Sequence, residues 1–180
     1  MREQELCIMY IDLLILMQIE QSPKHGYEIK KNIQNDLGHL LVINHNMLYP
    51  ALRRFTEEGA VRKRVNEQEG KPNQVIYDIT DSGKRRIIDL INEFTEKDAK
   101  HEIEFLVRVS LFHRISQENR LRILDMRKKD LETRLADIDR RQNRQDEQNV
   151  FLSEVFQFSG SRARKELTWI NELIGKIEHT

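Results

Sequence analysis

The chain has 180 residues, and its 30 basic and 30 acidic residues cancel to a net charge of zero. This length is enough to bury a substantial core, and the neutral balance excludes attraction of the whole molecule to nucleic acid or to an anionic membrane. Seven glycines and three prolines are about half the usual number for this length, which argues against a turn-dense β-sandwich and favours long helices.

Three helices are predicted before residue 60. Residues 3–20 are apolar around most of a helical circumference, which is typical of a helix packed against others. A break at residues 22–24 separates it from a second helix over residues 25–37, which Gly38 ends. A third helix is predicted over residues 44–58.

The third predicted helix has two unlike faces. Its inner face carries, at helical spacing, Leu48, Ala51, Leu52 and Phe55. Rotation by about 100° per residue places Asn46, Pro50 and Arg53 on the opposite face, with Tyr49 and Arg54 on its flanks. Asn44 or Asn46 caps the helix, and Pro50 falls near the first turn, where a missing N–H does least harm. The outward side chains are of the kinds that bind DNA phosphates and base edges.

A hairpin and a fourth helix follow. Residues 60–65 and 75–79 alternate like strands around a turn-rich tip, and residues 80–82 cap a helix that runs toward Glu96. Eight of the ten glycines and prolines lie at or before Gly83, so the composition changes near residues 85 to 95. This change predicts two domains, residues 1–95 and residues 96–180.

The second domain is predicted to be helical throughout, with helices over residues 100–115, from Ser116 onward, and over residues 149–178, where Gly160 is expected to introduce a kink. The long central helix carries a seam that steps by three and four residues, formed by Leu121, Leu124, Lys128, Leu131, Leu135, Ile138, Gln142 and Gln145. Such a seam is typical of a coiled coil. It packs either against another helix of the same chain or against a second copy, and the pattern leaves both arrangements open.

The predicted order of helix, helix, helix, hairpin and helix is that of a winged helix-turn-helix domain, in which the third helix enters the major groove and the hairpin lies along the DNA backbone. Residues 44–86 contain nine basic and six acidic side chains, which is a local basic excess within a neutral chain. The alternative is an ordinary solvated surface, since runs of charge usually are one. The fold class expected is therefore mainly α, with a winged helix, a two-stranded wing and a long-helix second domain.

Four motifs occur in order in the first domain: His25–Ile29 (HGYEI), Leu48–Leu52 (LYPAL), Glu57–Val61 (EEGAV) and Tyr77–Gly83 (YDITDSG). In sequence and spacing they resemble the PadR family of bacterial transcription regulators. The long helical second half, with Glu166–Leu173 (ELTWINEL), is similar to the larger, phenolic-acid-responsive branch of that family. The resemblance implies a homodimeric winged-helix protein, usually a repressor, whose long C-terminal helices form the dimerisation domain. It also implies that a small aromatic ligand lowers the affinity of the protein for double-stranded operator DNA.

The resemblance also implies roles for individual residues. It makes Tyr49 and Arg53 backbone-binding residues of the third helix, Asn46 and Met47 its variable base-facing start, and Lys71 a wing contact. Pro50 and Arg54 complete the predicted DNA-binding set. The chain departs from many relatives at residues 44–47 and after Pro72, where Asn73 and Gln74 replace a basic residue.

An effector site is expected to use aromatic side chains of the second half, because a planar ligand needs an apolar cleft with a few polar groups. The main candidates are Phe105, Phe112, Phe158 and Trp169, with Phe151 and Phe156 beside them in sequence. The plainer interpretation is that these side chains belong to the core. The effector hypothesis places the site between the winged helix and the C-terminal helices.

Other functional classes have little support. No sequence motif of a hydrolase, nucleotide-binding loop or zinc protease is present, and His39 and His45 are six residues apart. Cys7 is the single cysteine, so neither a disulfide nor a zinc site built on a cysteine pair is expected. The apolar run over residues 13–19 is much shorter than the ~20 residues that span a bilayer. We expect a cytoplasmic protein that is not an enzyme and has no cofactor, metal or membrane partner. The alternative function is a helical adaptor that binds a partner through its second half.

Overall fold

The computed structural model describes residues 9–38, 40–66, 74–142 and 149–179. Its helices are α1 (Met9–Gln21), α2 (Gly26–Leu37), α3 (His45–Glu57), α4 (Asp81–Asn92), α5 (Glu102–Ser110), α6 (Gln117–Gln142) and α7 (Val150–Glu178). Its strands are β1 (Lys24–His25), β2 (Val61–Asn66) and β3 (Gln74–Ile79), and short 3-10 turns occur at Asp98–Lys100 and Phe112–Arg114. The predicted class, a mainly α fold with a winged helix and long C-terminal helices, is confirmed.

The chain divides into two compact units that alternate along the sequence. The first contains Met1–Glu93 and Leu106–Arg114, and the second contains Phe94–Phe105 and Ile115–Thr180. The winged helix lies in the first unit and the α6 and α7 helices lie in the second. The division of the sequence into domains 1–95 and 96–180 stays a prediction.

Helix α1 is the centre of the first unit. It packs against α2, α3, α4 and β3, as its nearly all-apolar circumference predicts. The side chains of Ile11, Leu13, Ile15, Leu16 and Ile19 are almost fully buried. Each such burial is worth roughly 1.5–3 kcal/mol relative to exposure, so α1 fixes the positions of the helices around it.

Lys24, three residues beyond the end of α1, caps the C-terminus of that helix with its side chain. Its buried ammonium group donates hydrogen bonds to the Gln18 carbonyl at 2.6 Å and to Ser22 Oγ at 2.9 Å. A cation in this position satisfies a carbonyl that the helix leaves free and lies favourably at the negative end of the helix dipole. Burial lowers the pKa of Lys24 from its ordinary value, and nearby Glu28 acts in the opposite direction.

The sheet has three antiparallel strands in the order β1-β3-β2. Val61 pairs with Ile79 in the predicted hairpin, and Lys24 of β1 pairs with Tyr77 on the other side of β3. The predicted two-stranded wing, β2 and β3, is therefore present, and the prediction omitted β1, the third strand of the sheet. Since β1 has only two residues, it is too short to show the alternation from which strands are predicted.

The junctions around α3 and α4 follow the predicted turn chemistry. Gly59 has φ 72°, a left-handed conformation that glycine adopts without steric cost, and it ends α3 as predicted. Thr80 Oγ1 accepts a hydrogen bond from Gly83 N–H at 3.1 Å, which caps α4, and donates one to the Gly59 carbonyl at 2.7 Å. Thr80 therefore connects the end of α3 to the start of α4.

Several predicted helix bounds are wrong by a few residues. Helix α4 ends at Asn92, because Glu93 has ψ 55°, outside the helical region. The helix predicted over residues 100–115 is shorter, Glu102–Ser110, and a 3-10 turn follows it. Pro50 is the sixth residue of α3 and lies just after its first turn, close to the expected place. Helix α7 is continuous through Gly160, and the kink expected there stays a prediction.

In the second unit, α6 packs against α7 of the same chain. Among the predicted seam positions, Leu124 and Leu131 are buried, while Leu121, Lys128, Leu135, Ile138 and Gln142 are half-buried, and Gln145 is outside the described residues. Arg127 is buried between the helices and donates to both Glu166 carboxylate oxygens, at 2.6 and 2.9 Å, and to the Ala99 carbonyl at 2.6 Å. The seam thus has an intrachain partner.

Candidate nucleic-acid interface

Helix α3 begins at a well-defined cap. Asn44 has extended backbone angles, and its side-chain oxygen accepts a hydrogen bond from Met47 N–H at 3.1 Å, so Asn44 is the capping residue. The next side chains, Asn46 and Met47, are exposed and half-buried respectively. The start of α3 therefore presents Asn46 to solvent from a backbone that is fixed by its cap.

The two faces of α3 are as the helical periodicity predicts. Leu48, Ala51, Leu52 and Phe55 are 3% exposed or less. On the other side Asn46, Pro50 and Arg53 are exposed, and Tyr49 is 44% exposed. Because the apolar face is buried in the first unit, the orientation of the polar face is fixed by packing. The helix presents an amide, an aromatic hydroxyl and a guanidinium group along one solvent-facing stripe.

Tyr49 is positioned by two neighbours. Its ring stacks on His45, with ring centroids 5.7 Å apart and planes inclined by 8°. On another side the ring packs against Gly26, where an added Cβ would lie 3.0 Å from Tyr49 Cε1. Glycine at the start of α2 therefore permits the close approach of Tyr49 to the backbone, a contact that the sequence did not reveal.

An open cleft of about 460 Å³ adjoins Tyr49. Its walls include His25, Tyr27 and Tyr77, contributed by β1, the start of α2 and β3. His25 Nδ1 lies 2.9 Å from the Val75 carbonyl, which connects β1 to β3 beside the cleft. Burial raises the pKa of Tyr77 above its ordinary value, so its hydroxyl stays protonated near neutral pH.

The adjacent arginines of α3 have different surroundings. Arg53 is exposed, and within the described residues it has no ion-pair partner. Arg54 is half-buried, and its Nη2 donates to Asp12 Oδ2 of α1 at 2.5 Å, while Nε lies 3.9 Å from Glu58. Burial raises the pKa of Asp12 to about 6, because the loss of water outweighs the attraction of Arg54. The two predicted DNA-binding arginines are therefore not equivalent: only Arg53 is available at the surface without breaking an internal ion pair.

The wing contributes further cations. Arg62 and Lys63 of β2 are exposed, whereas Arg64 forms an ion pair with Asp78 of β3 at 2.5 Å. Lys71, the predicted wing contact, is outside the described residues. The described part of the wing therefore has two further exposed cations, and as consecutive residues of a strand they lie on opposite faces of β2.

The four predicted effector residues do not line one described cavity. Phe105 is fully buried in the second unit, where its ring meets the edge of Trp169 with centroids 6.1 Å apart. Phe112 is buried in the first unit. Phe158 is 66% exposed on α7 and lines a cavity of about 130 Å³ with Leu131, Ile138, Arg134 and Arg162 among others. Phe105 and Trp169 thus belong to a core contact, as the plainer interpretation of the sequence predicts.

The remaining aromatic residues of α7 lie near its start. Phe151 is 85% exposed and Phe156 is half-buried. In the part of the chain that the structure describes, no group of three or more histidine, cysteine, aspartate or glutamate side chains could bind a metal ion. None of the helices in the described ranges combines the length and apolar character needed to cross a membrane.

Comparison with known proteins agrees with the motifs. The sequence model of the transcriptional regulator PadR-like family matches residues 15–89. The negative transcriptional regulator PadR of Bacillus subtilis is 26% identical over 104 residues, 58% of this chain and 57% of that protein. A probable transcriptional regulator of Mycobacterium tuberculosis is 28% identical over 79 residues, 44% of this chain and 42% of that protein. The chain thus spans about half the length of these curated relatives.

Solved structures give further similarities. A transcriptional regulator from Clostridium thermocellum is 30% identical, with a TM-score of 0.42, and the match covers 45% of this chain and 78% of that one. The crystal structure of Bacillus subtilis PadR in complex with operator DNA is 19% identical, with a TM-score of 0.46 and coverage of 93% and 98%. The matched family consists of transcriptional regulators, which confirms the expectation that the chain is not an enzyme.

Proposed function

Because the chain carries at residues 15–89 a domain of the PadR-like family of transcriptional regulators, we propose that it binds operator DNA and regulates transcription from that site. The observation that carries the proposal is the outer face of α3, where Tyr49 and Arg53 are exposed on a helix whose opposite face is buried. A helix presented in this way fits the major groove, with its first residues at the base edges.

Each described residue of the predicted set takes a role that its position supports. Asn46 and Met47, at the start of α3, face base edges, and an amide side chain there can read adenine. Tyr49 and Arg53 bind backbone phosphates, with Pro50 exposed between them. Lys71 on the wing is a further proposed phosphate contact, and the exposed Arg62 and Lys63 support a DNA-facing wing. Arg54 belongs to this set as a residue that fixes α3 through Asp12.

We also propose that the active form is a homodimer that assembles through α7. Apolar side chains at the start of this helix are exposed: Phe151, Val155 and Phe158 share one face, and Val150 and Leu152 lie to either side of it. Exposed apolar surface of this kind marks a site of protein association. Two winged helices about one DNA turn apart, ~34–36 Å, would then share one operator and add their phosphate contacts.

Repression with release by a small aromatic effector is the mode of regulation that we propose. A relative of this chain is a negative regulator by name. The cavity beside Phe158, about 130 Å³, is close to the roughly 150 Å³ of an engineered cavity that binds benzene. Its wall combines Leu131 and Ile138 with Arg134 and Arg162. These arginines pair with Asp130 and Glu102, so a ring that bears a carboxylate would bind by replacing one of those carboxylates. Because regulation of this kind acts on chromosomal DNA, we propose a cytoplasmic location.

The DNA-binding test starts from a duplex that the full chain selects out of a random pool. Fluorescence anisotropy at several salt concentrations then gives the affinity and its salt slope for each variant. Arg53→Ala should weaken binding to all duplexes alike and reduce the salt slope by about one, whereas Asn46→Ala should change the preference among duplexes. Arg141→Ala, which removes an exposed cation of α6, is the matched control and should bind as the unaltered chain does.

Two further measurements separate the proposals. Sedimentation should show a dimer that Phe151→Lys dissociates and that Gln157→Lys, an exposed polar position on the same helix, does not. Titration with hydroxycinnamic acids should weaken DNA binding, and no response across a phenolic panel would remove the effector proposal. If no duplex is selected while Phe151→Lys abolishes binding to a protein partner, the chain is a helical adaptor and the DNA proposal is wrong.

A further inference from the structure

The DNA-facing helix α3 is connected to α1 by one buried carboxylate. Asp12 lies in the first turn of α1, among buried apolar side chains, and is 7% exposed. Its Oδ2 accepts a hydrogen bond from Arg54 Nη2 at 2.5 Å, and its Oδ1 is buried without a hydrogen-bond partner among the described residues. A carboxylate that is buried from water and has a hydrogen-bond partner at only one of its two oxygens lowers the stability of the fold, so stability alone does not account for it.

The position of the pair suggests what it does. Arg54 follows Arg53 directly on α3, so the contact with Asp12 fixes the rotation of α3 about its own axis at the residue next to the exposed arginine. Arg54 also lies over the Phe55 ring, with its guanidinium carbon 5.2 Å from the ring centroid, which restricts the side chain further. A change at Asp12 therefore reaches the outer face of α3 through one side chain.

We propose that Asp12 is a positioning residue for α3, and that its ionised carboxylate, acting through Arg54, sets the rotation at which Tyr49 and Arg53 meet DNA. The proposal rests on the proposed function, because it assigns to α3 the DNA-contacting role. Buried ion pairs that cost stability can instead specify one arrangement of the elements that they join. Asp12 would then act without touching DNA.

The electrostatic surroundings of Asp12 make the contact sensitive to acid. The charged groups that act on it are Arg54 and Glu58 at the α3 side and Arg86 from α4, while α2 and β3 bring no charged group that shifts its pKa within the described residues. Burial raises the pKa of Asp12 to about 6. Below that pH the carboxyl group is neutral and its attraction for Arg54 falls to that of an ordinary hydrogen bond.

The test uses the full chain, a duplex selected by that chain, and two variants. Asp12→Asn copies the neutral state at every pH, and Glu58→Gln removes the weaker, exposed partner of Arg54 as the matched control. At pH 7.5, Asp12→Asn should bind the duplex about tenfold more weakly. Glu58→Gln should change affinity by less than about twofold. Between pH 7.5 and 5.5 the unaltered chain should lose affinity relative to Asp12→Asn, and the two should converge.

Hydrogen exchange at pH 7.5 provides a readout that does not depend on DNA. Peptides that cover residues 45–57 should exchange several-fold faster, relative to peptides that cover residues 81–92, in Asp12→Asn than in the unaltered chain. Equal affinity for DNA, or an unchanged ratio of exchange between these two helices, in a folded Asp12→Asn protein overturns the proposal. If the unaltered chain selects no duplex at any pH, the proposed function fails, and exchange in α3 alone still decides whether Asp12 positions the helix.

Discussion

Replacement of Asp12 by asparagine should make the folded protein more stable at neutral pH, although it removes an ion pair. The reason is the sign of the pKa change: burial raises the pKa of Asp12 from 3.8 to about 6, so the folded state binds the proton more tightly than the unfolded state. The stabilisation that the protonated Asp12 gives to the folded state is fully present below pH 3.8 and is lost as the pH rises through about 6. At neutral pH the ionised carboxylate therefore costs stability.

The size of this cost follows from the pKa values. A change of one in pKa corresponds to about 1.4 kcal/mol, so the rise to about 6 corresponds to about 3 kcal/mol at pH 7.5. Removal of one member of a buried pair usually destabilises because the other charge is stranded. Arg54 is not stranded, since its side chain is 37% exposed and can turn to water. Asparagine also keeps an oxygen that accepts from Arg54, so a gain of about 1–3 kcal/mol is expected.

Urea unfolding at a series of pH values from 5 to 8 measures the effect. The free energy of unfolding of Asp12→Asn minus that of the unaltered chain should grow with pH and level off above about 6.5. Asp137→Asn, which removes an exposed carboxylate paired with Arg140, is the control and should change stability by less than about 0.5 kcal/mol at any pH. A loss of stability in Asp12→Asn that is largest at pH 8 would show that the attraction of Arg54 outweighs burial, and would refute the reasoning.

Three other predictions concern stability, each measured by urea unfolding. The pKa of Glu20 changes in the opposite direction from that of Asp12, because hydrogen bonds from Arg114 lower it below 4.5. Glu20→Gln should therefore destabilise the protein at pH 7, and this loss of stability should disappear as the pH falls through the lowered pKa. Gly59→Ala should cost about 1–2 kcal/mol because φ is 72° there, whereas Gly175→Ala, inside α7 with open space around it, should gain about 0.5–1 kcal/mol. Arg127→Ala should cost about 3 kcal/mol or more, because it leaves Glu166 without the partner that holds it between α6 and α7. A Glu20→Gln loss that does not shrink as the pH is lowered, equal effects of the two glycine changes, or a cost below 1 kcal/mol for Arg127→Ala would contradict these expectations.

Much of the fold follows from local sequence patterns. The two faces of α3 are set by helical spacing, and the Asn44 cap and the Gly59 stop are set by side-chain and backbone chemistry within a few residues. These features were predictable because they depend on neighbours in sequence. Strand β1 was not, since its two residues become a strand only by pairing with Tyr77 and Ile76 on β3.

The candidate site also combines features that neighbours in sequence determine with features that tertiary packing determines. The exposed stripe of Asn46, Tyr49 and Arg53 follows from rotation about the α3 axis, whereas the packing of Tyr49 on Gly26 depends on how α2 and α3 approach each other. The aromatic candidates show the limit of composition arguments: Phe105 and Phe158 look alike in sequence, yet one is fully buried and the other is 66% exposed. A sequence reports which residues are apolar, and packing decides which of them find a partner.

The neighbours Arg53 and Arg54 allow the division of labour on α3 to be tested by salt dependence. Both alanine substitutions should weaken DNA binding. Arg53→Ala should also reduce the salt slope by about one, because a phosphate-bound cation releases a counterion. Arg54→Ala should leave the slope unchanged, since its charge faces Asp12 and not solvent phosphate, and it should lower stability at pH 7.5 by leaving that buried carboxylate without its hydrogen-bond donor. Equal reductions of the salt slope by both substitutions would mean that Arg54 leaves Asp12 to bind DNA, and that rotation about the helix axis does not separate their roles.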